Sequence, residues 1–112
     1  MKRVTFDIQV LAESSTNKTT ATVNGYEVFK GLAAHRPHNR KYGWIVSHIN
    51  SGYAIAYRTA PNVTLAQVKS WVEQTQQDAP IDWTFEGRHM PSEALALHNK
   101  WRGTYAVFAG NN

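Results

Sequence analysis

The chain has 112 residues, which fits a single domain, 1–112, and is too short for two of ordinary size. Hydrophobic residues are 42% and charged residues 18% of the chain, a composition that excludes a disordered or membrane-embedded protein. There is no cysteine, which excludes disulfides and thiolate zinc sites. The start of the chain lacks the apolar run of a signal peptide, and we therefore expect a cytoplasmic protein with no membrane partner.

The net charge of +4 is unevenly distributed along the chain. Residues 1–41 contain seven Lys or Arg and three acidic residues, whereas residues 42–112 contain five of each. The whole positive excess therefore lies in the first 41 residues, which makes this part of the chain the first place to look for a binding surface.

The first predicted elements are a strand and a hairpin. Alternating apolar and polar residues over 4–11 predict a strand with one buried face. The dipeptide Asn24-Gly25 then separates two short β-forming segments, 20–23 and 26–29. Asn-Gly is favoured in type I′ turns because both residues tolerate a positive φ, so a hairpin with its turn at this dipeptide is predicted.

A basic loop and a second hairpin follow. Residues 30–41 are basic and contain Pro37, which predicts an irregular loop. Strands are predicted at 44–49 and 53–58, joined by a glycine-containing turn at 50–52. Because the predicted strands are adjacent in sequence and joined by short turns, we expect an antiparallel sheet.

A helix is predicted over 65–77. Thr64 and Gln67 have the spacing of a capping box, in which each side chain accepts a hydrogen bond from the backbone N–H of the other residue. Apolar residues recur at helical spacing on one face, at Leu65, Val68, Trp71 and Val72.

The rest of the chain contains three more predicted elements. Alternation over 81–86 predicts a short strand or an extended segment, Pro91 suits the first turn of a second helix, and 104–108 predicts a last strand. The order of the elements predicts an α+β fold, an antiparallel sheet of about five to six strands with two helices packed on one face.

The basic loop and the aromatic residues directly after it form the candidate binding site. Basic side chains can contact phosphates, and aromatic side chains can stack on bases or anchor a protein partner. The candidate binding residues are Lys30, His35, Arg36, His38, Arg40, Lys41, Tyr42 and Trp44. The alternative is a solvated loop followed by a Trp44 that points into the core.

Two sets of residues have the composition of metal or catalytic sites. His35 and His38 have a spacing seen in metal sites, with His48 as a third ligand, although a single His in an apolar strand is more often a hydrogen-bonded core residue. An acid and histidine set lies at Asp78, Asp82, Glu86, His89, Glu93 and His98. Neither set matches a motif with a known mechanism, so we expect no catalytic residue, no metal ligand and no cofactor.

Residues 44–52 (Trp-Ile-Val-Ser-His-Ile-Asn-Ser-Gly) and 64–68 (Thr-Leu-Ala-Gln-Val) carry a resemblance to known proteins. The pattern of an aromatic-led strand, a glycine turn, a return strand and a capped helix resembles small accessory proteins of phages and other mobile elements, anti-CRISPR proteins among them. The resemblance covers about a quarter of the chain and carries no catalytic residue across. It implies a protein that binds and blocks a host machine.

We therefore expect a non-catalytic binding protein, a monomer or homodimer, that docks on a host nucleic-acid-handling protein complex as a mobile-element-encoded inhibitor. One alternative is a domain that binds nucleic acid directly through the basic loop 30–41. The other is a small metal-dependent enzyme that uses the acid and histidine set of residues 78–98.

Overall fold

The computed structural model describes residues 1–11, 18–37, 43–56, 59, 62–78, 80–86 and 91–96. Their strands and main helix are β1 (Lys2–Leu11), β2 (Lys18–Phe29), β3 (Leu32–His35), β4 (Ile45–His48), β5 (Ala54–Ala56) and α1 (Leu65–Asp78). A second helical segment lies at 92–96, directly after Pro91 as predicted. The predicted last strand at 104–108 lies outside the described residues.

The strands form an antiparallel sheet in the order β1-β2-β3-β4-β5, so each strand pairs with its neighbours in sequence. Together with the two helical segments this confirms the predicted α+β fold. A further hydrogen bond joins elements that are not neighbours in the sheet: the Gln9 N–H of β1 donates to the Gly52 carbonyl in the turn between β4 and β5 (3.0 Å). The first strand thereby meets the end of the fourth, which is not its neighbour in the sheet.

The prediction of a hairpin turn at Asn24-Gly25 is wrong. β2 continues through both residues, and Asn24 pairs with Thr5 of β1 while Gly25 pairs with Val4. The ten-residue β1 provides a partner for every residue of this stretch, so a continuous ladder replaces the local turn. Gly25 has a different role, since a Cβ atom there would lie 2.7 Å from the carbonyl oxygen of Ala34 on β3.

The prediction of an irregular loop over 30–41 is also wrong in part. Residues 30 and 31 form the turn after β2, with Gly31 at φ 92°, and β3 follows at once. β3 is the central strand, and all four of its residues, Leu32–His35, are buried. A short apolar run that is buried on both faces has no alternation to reveal it, which explains why the strand is hidden in the sequence.

The sheet has an apolar core on each face. On the helix side the buried residues are Val28, Leu32, Ala34, Trp44, Val46, Ile55, Ala56, Val68, Val72, Trp83 and Ala94. On the opposite side a smaller core contains Phe6, Ile8 and Ala33, with Val4, Ala21, Val23 and Ile49 packed against it. Because successive side chains of β3 point to opposite faces, Leu32 and Ala34 belong to the first core and Ala33 to the second.

Residues 81–86 do not form a strand; a turn lies at 83–84, and Trp83 inserts into the core. The Trp83 side chain is fully buried, and its backbone lies so close to Gly31 that a Cβ atom on Gly31 would collide with the Trp83 carbonyl. Asn50 holds the same turn by donating to the carbonyl of Thr84 (3.1 Å). The alternation of apolar residues here therefore reflects three side chains that pack against the helix-side core, with Trp83 fully buried and Ile81 and Phe85 partly buried, and not the pairing of a strand.

α1 begins and packs as predicted. The Thr64 N–H donates to the Gln67 side-chain oxygen (2.8 Å), and the Gln67 N–H donates to the Thr64 hydroxyl (3.2 Å), which completes the capping box. Val68 and Val72 are buried on the sheet side of the helix, as is Gln76, whose oxygen accepts the Ile81 N–H (3.1 Å). Within the described part of the chain, no helix has the length and apolar character needed to cross a lipid bilayer.

Replacing the capping residue, Thr64→Ala, should lower the free energy of unfolding by about 1 kcal/mol, because the Gln67 N–H in the first turn of α1 loses the hydroxyl that accepts its hydrogen bond. Ser70→Ala is the matched control on the exposed part of the same helix and should change stability by less than about 0.5 kcal/mol. Chemical denaturation measures both. Equal effects of the two substitutions would contradict a specific contribution from the cap.

Candidate functional site

The structure divides the predicted binding residues between the two ends of β3. Lys30 lies in the turn before the strand and Arg36 directly follows it, so the whole length of β3 lies between them. Lys30 is exposed near Asp82, and the pKa of Asp82 is lowered by hydrogen bonds from Thr84 and, more weakly, by the charge of Lys30. Lys30 and Arg36, the two described Lys or Arg residues of segment 30–41, therefore do not belong to one continuous patch.

At the Arg36 end the structure brings together four side chains, which we call the cation–aromatic row: Arg3, Tyr26, Trp44 and Arg36. The Arg36 guanidinium carbon lies 3.8 Å from the centre of the Trp44 ring. Trp44 and Tyr26 meet edge to face, with ring centres 6.4 Å apart and planes at 71°. The Arg3 guanidinium carbon lies 6.0 Å from the centre of the Tyr26 ring.

Strand register places these four side chains on one face. Arg3 of β1 pairs with Tyr26 of β2, which pairs with Ala34 of β3. Arg36 is two positions beyond Ala34, and Trp44 stands two positions before Val46, the partner of Ala34. Positions two apart on a strand share a face, so the row lies on the helix side of the sheet, at the end of β3.

Arg3 and Tyr26 were not among the predicted binding residues. They are far from Arg36 in the sequence, and only the pairing of β1 with β2 and of β2 with β3 joins them. The alternation of the first strand could have placed Arg3 on the polar face. The alternation contains no information about which strand pairs with β1 or which side chains lie opposite Arg3.

The two arginines of the row are exposed, whereas the rings beneath them are not. Trp44 is 7% exposed, and Tyr26 is partly buried against the same core. Arg36 donates from Nη1 to the Gly43 carbonyl (3.1 Å), which holds its guanidinium over Trp44. Among the described residues, neither arginine forms an ion pair; an ion pair is found on α1, between Lys69 and Glu73.

Of the remaining predicted site residues, His38, Arg40, Lys41 and Tyr42 lie outside the described residues. The chain on either side of them is described, at Pro37 and Gly43. Because Arg36 is bonded to Gly43, both flanks of this segment lie beside the row.

His35 is buried, with 1% of its surface exposed, and it lies on the opposite face of the sheet from Arg36. Its Nδ1 lies 2.8 Å from the Arg36 carbonyl, and its Nε2 lies 2.8 Å from the Ser47 hydroxyl. A carbonyl only accepts, so Nδ1 carries the proton and the Ser47 hydroxyl donates to Nε2. Burial lowers the pKa of His35, against the weaker effect of the Arg36 carbonyl.

His48 is a hydrogen-bonded core residue, as the sequence favours, and is fully buried on the helix side. Nε2–H donates to the Trp83 carbonyl (2.9 Å), and the Ser51 hydroxyl donates to Nδ1 (2.7 Å). The ring stacks on Phe85 at 4.1 Å between centres and 21° between planes. Burial lowers the pKa of His48, and its hydrogen bonds to the backbone of Trp83 and Phe85 oppose this only in part.

The positions of the two histidines decide what they can do chemically. His35 and His48 point to opposite faces of the sheet, so His48 cannot be the third ligand of a metal bound at His35 and His38. Each imidazole is hydrogen-bonded to a serine hydroxyl, which is the arrangement in which a histidine acts as general base for a serine nucleophile. Both rings are closed off from solvent, however, and a substrate has no access to them.

The acid and histidine set of residues 78–98 is also dispersed. Asp78, Asp82, Glu86 and Glu93 are exposed, and His89 and His98 lie outside the described residues. Over the described ranges, no three His, Asp or Glu side chains come together in a geometry that could hold a metal ion.

No family model, curated protein or solved structure matches this chain. A functional proposal therefore depends on the geometry of the cation–aromatic row and of the two histidine networks.

The buried histidines make stability dependent on pH. Both have a folded-state pKa below 6.5, so the unfolded chain binds more protons as the pH falls past 6.5, and the free energy of unfolding must decrease. The slope can reach about 1.4 kcal/mol per pH unit for each histidine. Above pH 6.5 their contribution is complete and stability should be flat.

Urea denaturation between pH 7.5 and 5 tests this expectation. His35→Gln should be less stable than the wild type at pH 7.5 but should show a smaller loss on acidification, because one of the two titrating groups is gone. Asp82→Asn is the control, since its lowered pKa affects stability only below about pH 4. A wild-type stability that is constant from pH 7.5 to 5 would contradict the two neutral buried imidazoles.

Proposed function

We propose that the protein is a non-catalytic, cytoplasmic binding domain that docks on a protein partner through the cation–aromatic row and inhibits a host nucleic-acid-handling complex. One observation carries this proposal. Arg3 and Arg36 are exposed, their guanidinium groups lie over aromatic rings, and they form no ion pair among the described residues.

Such a row suits a binding surface for two reasons. Arg, Tyr and Trp are the residues that most often dominate the energy of protein interfaces. Arg36 is also held in place by Trp44 and by its hydrogen bond to Gly43, so it loses less conformational freedom when a partner binds.

The buried histidine networks support a non-catalytic role. Each imidazole already uses both nitrogens, one as donor to a backbone carbonyl and one as acceptor from a serine. These bonds satisfy groups that would otherwise be costly to bury. The histidine and serine pairs are therefore explained by the stability of the sheet, without a reaction.

The inhibitory role and the host target rest on the resemblance of residues 44–52 and 64–68 to small phage and mobile-element proteins. In the fold these residues are β4 with its flanks and the start of α1. Trp44, the first residue of that pattern, is also a member of the row.

Direct binding of nucleic acid is the second candidate, and the same two exposed guanidinium groups favour it. With the exposed Lys2 and a net charge of +4, they could neutralise phosphates. Affinity that depends on phosphate contacts falls steeply as salt rises, which separates this candidate from docking on a protein.

Affinity capture from host lysate, with and without nuclease, tests the proposal. The wild type should retain a defined protein in nuclease-treated lysate, and Arg36→Ala should retain it at least about tenfold less well, because a central arginine of an interface is removed. Lys30→Ala is the matched control, an exposed cation at the other end of β3, and should behave like the wild type.

Two outcomes would count against docking on a protein. If nuclease removes all retained material, the second candidate replaces the first. If Arg36→Ala and Lys30→Ala retain the same protein equally well, the row is not the docking surface.

A further inference from the structure

We propose that the partner presents carboxylates to the cation–aromatic row, so that the docking surface recognises an acidic patch of a protein. This inference rests on the proposed function and names the chemistry that the row would recognise. It follows from the N–H groups that Arg36 has in addition to the one bonded to Gly43, from the charge pattern around Arg3, and from the packing of the aromatic rings against the arginines and each other.

The guanidinium group of Arg36 is suited to binding a carboxylate. A guanidinium has five N–H donors, and Arg36 gives one of them, on Nη1, to the Gly43 carbonyl. Its guanidinium carbon lies 3.8 Å from the centre of the Trp44 ring, and among the described residues no carboxylate pairs with the group. Two parallel N–H groups of a guanidinium match the two oxygens of a carboxylate or a phosphate.

The charges beside Arg3 favour isolated carboxylates over a phosphate backbone. Asp7 lies on the same face of β1 as Arg3, four positions further on, and it is exposed, accepting a hydrogen bond from the Thr22 hydroxyl (2.6 Å). A nucleic acid strand carries a negative charge about every 3.4 Å, and such a strand would bring phosphates against Asp7. A protein surface can place a carboxylate opposite each arginine and a donor opposite Asp7.

The aromatic rings of the row are poorly placed for stacking on bases. Single-stranded nucleic acids bind largely by stacking on open aromatic faces. Trp44 is 7% exposed and has Arg36 on one face, while Tyr26 lies edge to face with Trp44 and beneath Arg3. The rings support the guanidinium groups and present no open platform.

The sheet also sets the spacing that the partner must match. Arg3 and Arg36 are two strands apart and one two-residue step apart along the strands, which separates their Cα atoms by about 12 Å. Acidic residues at positions i and i+7 of a helix are about 10 Å apart along its axis, and positions i and i+4 of a strand are about 13 Å apart. Either arrangement fits both arginines at once.

A nuclear magnetic resonance titration tests the inference with a 20-residue oligoglutamate as the probe. Addition of the peptide should shift the side-chain N–H resonance of Arg36 and the indole N–H resonance of Trp44. The affinity should fall at least about fivefold in Arg36→Ala, and in Arg36→Lys as well, because an ammonium group cannot form the paired hydrogen bonds. Lys30→Ala is the charge-matched control and should keep the wild-type affinity.

The same titration with a 20-nucleotide oligothymidine and with a 20-base-pair duplex tests whether the row prefers phosphates to carboxylates. Tighter binding of either nucleic acid through Arg36 would overturn the assignment of carboxylates and point to phosphates. Equal peptide affinities of the wild type and Arg36→Ala would overturn it too, provided that both proteins show the same dispersed spectrum of a folded domain.

Failure of this inference can be distinguished from failure of the proposed function. If lysate capture of a protein depends on Arg36 but oligoglutamate binding does not, the carboxylate assignment is wrong and the docking function stands. If nuclease-treated lysate yields no retained protein, the docking function fails, whatever the peptide does.

Discussion

The burial of β3 on both faces is the constraint on which the rest of the structure depends. Leu32 and Ala34 enter the helix-side core and Ala33 enters the smaller core, so the strand belongs to both at once. Gly25 and Gly31 are needed because the chain passes close to neighbouring backbone on each side of this strand. β3 also divides the basic segment, leaving Lys30 at one end and Arg36 at the other.

A central strand that ends in a histidine brings a polar group into the interior. His35 and, on the adjacent strand, His48 meet this requirement in the same way, with one nitrogen donating to a carbonyl and the other accepting from a serine. The bonds tie the end of β3 to Ser47 and the end of β4 to Trp83. Neutral imidazoles are therefore part of the fold, and their low pKa values follow from their burial.

The end of β3 is also where the candidate site forms. The Arg36 carbonyl accepts from the buried His35, while the Arg36 side chain turns to the other face and lies on Trp44. One residue thus links the interior to an exposed, positively charged surface. Docking through this row would use arginines that the fold already holds in position, which is the physical basis of both proposals.

Local signals in the sequence determined the elements that depend on neighbouring residues: the alternation of β1, the hairpin of β4 and β5, the capping box of α1 and the α+β class. Only the tertiary structure decided that β2 runs through Asn24-Gly25, because a long paired strand outweighs a local turn preference. It also decided the burial of Trp83 and the meeting of Arg3 with Tyr26, Trp44 and Arg36. These contacts join residues far apart in the chain, and no local pattern records which strands lie side by side.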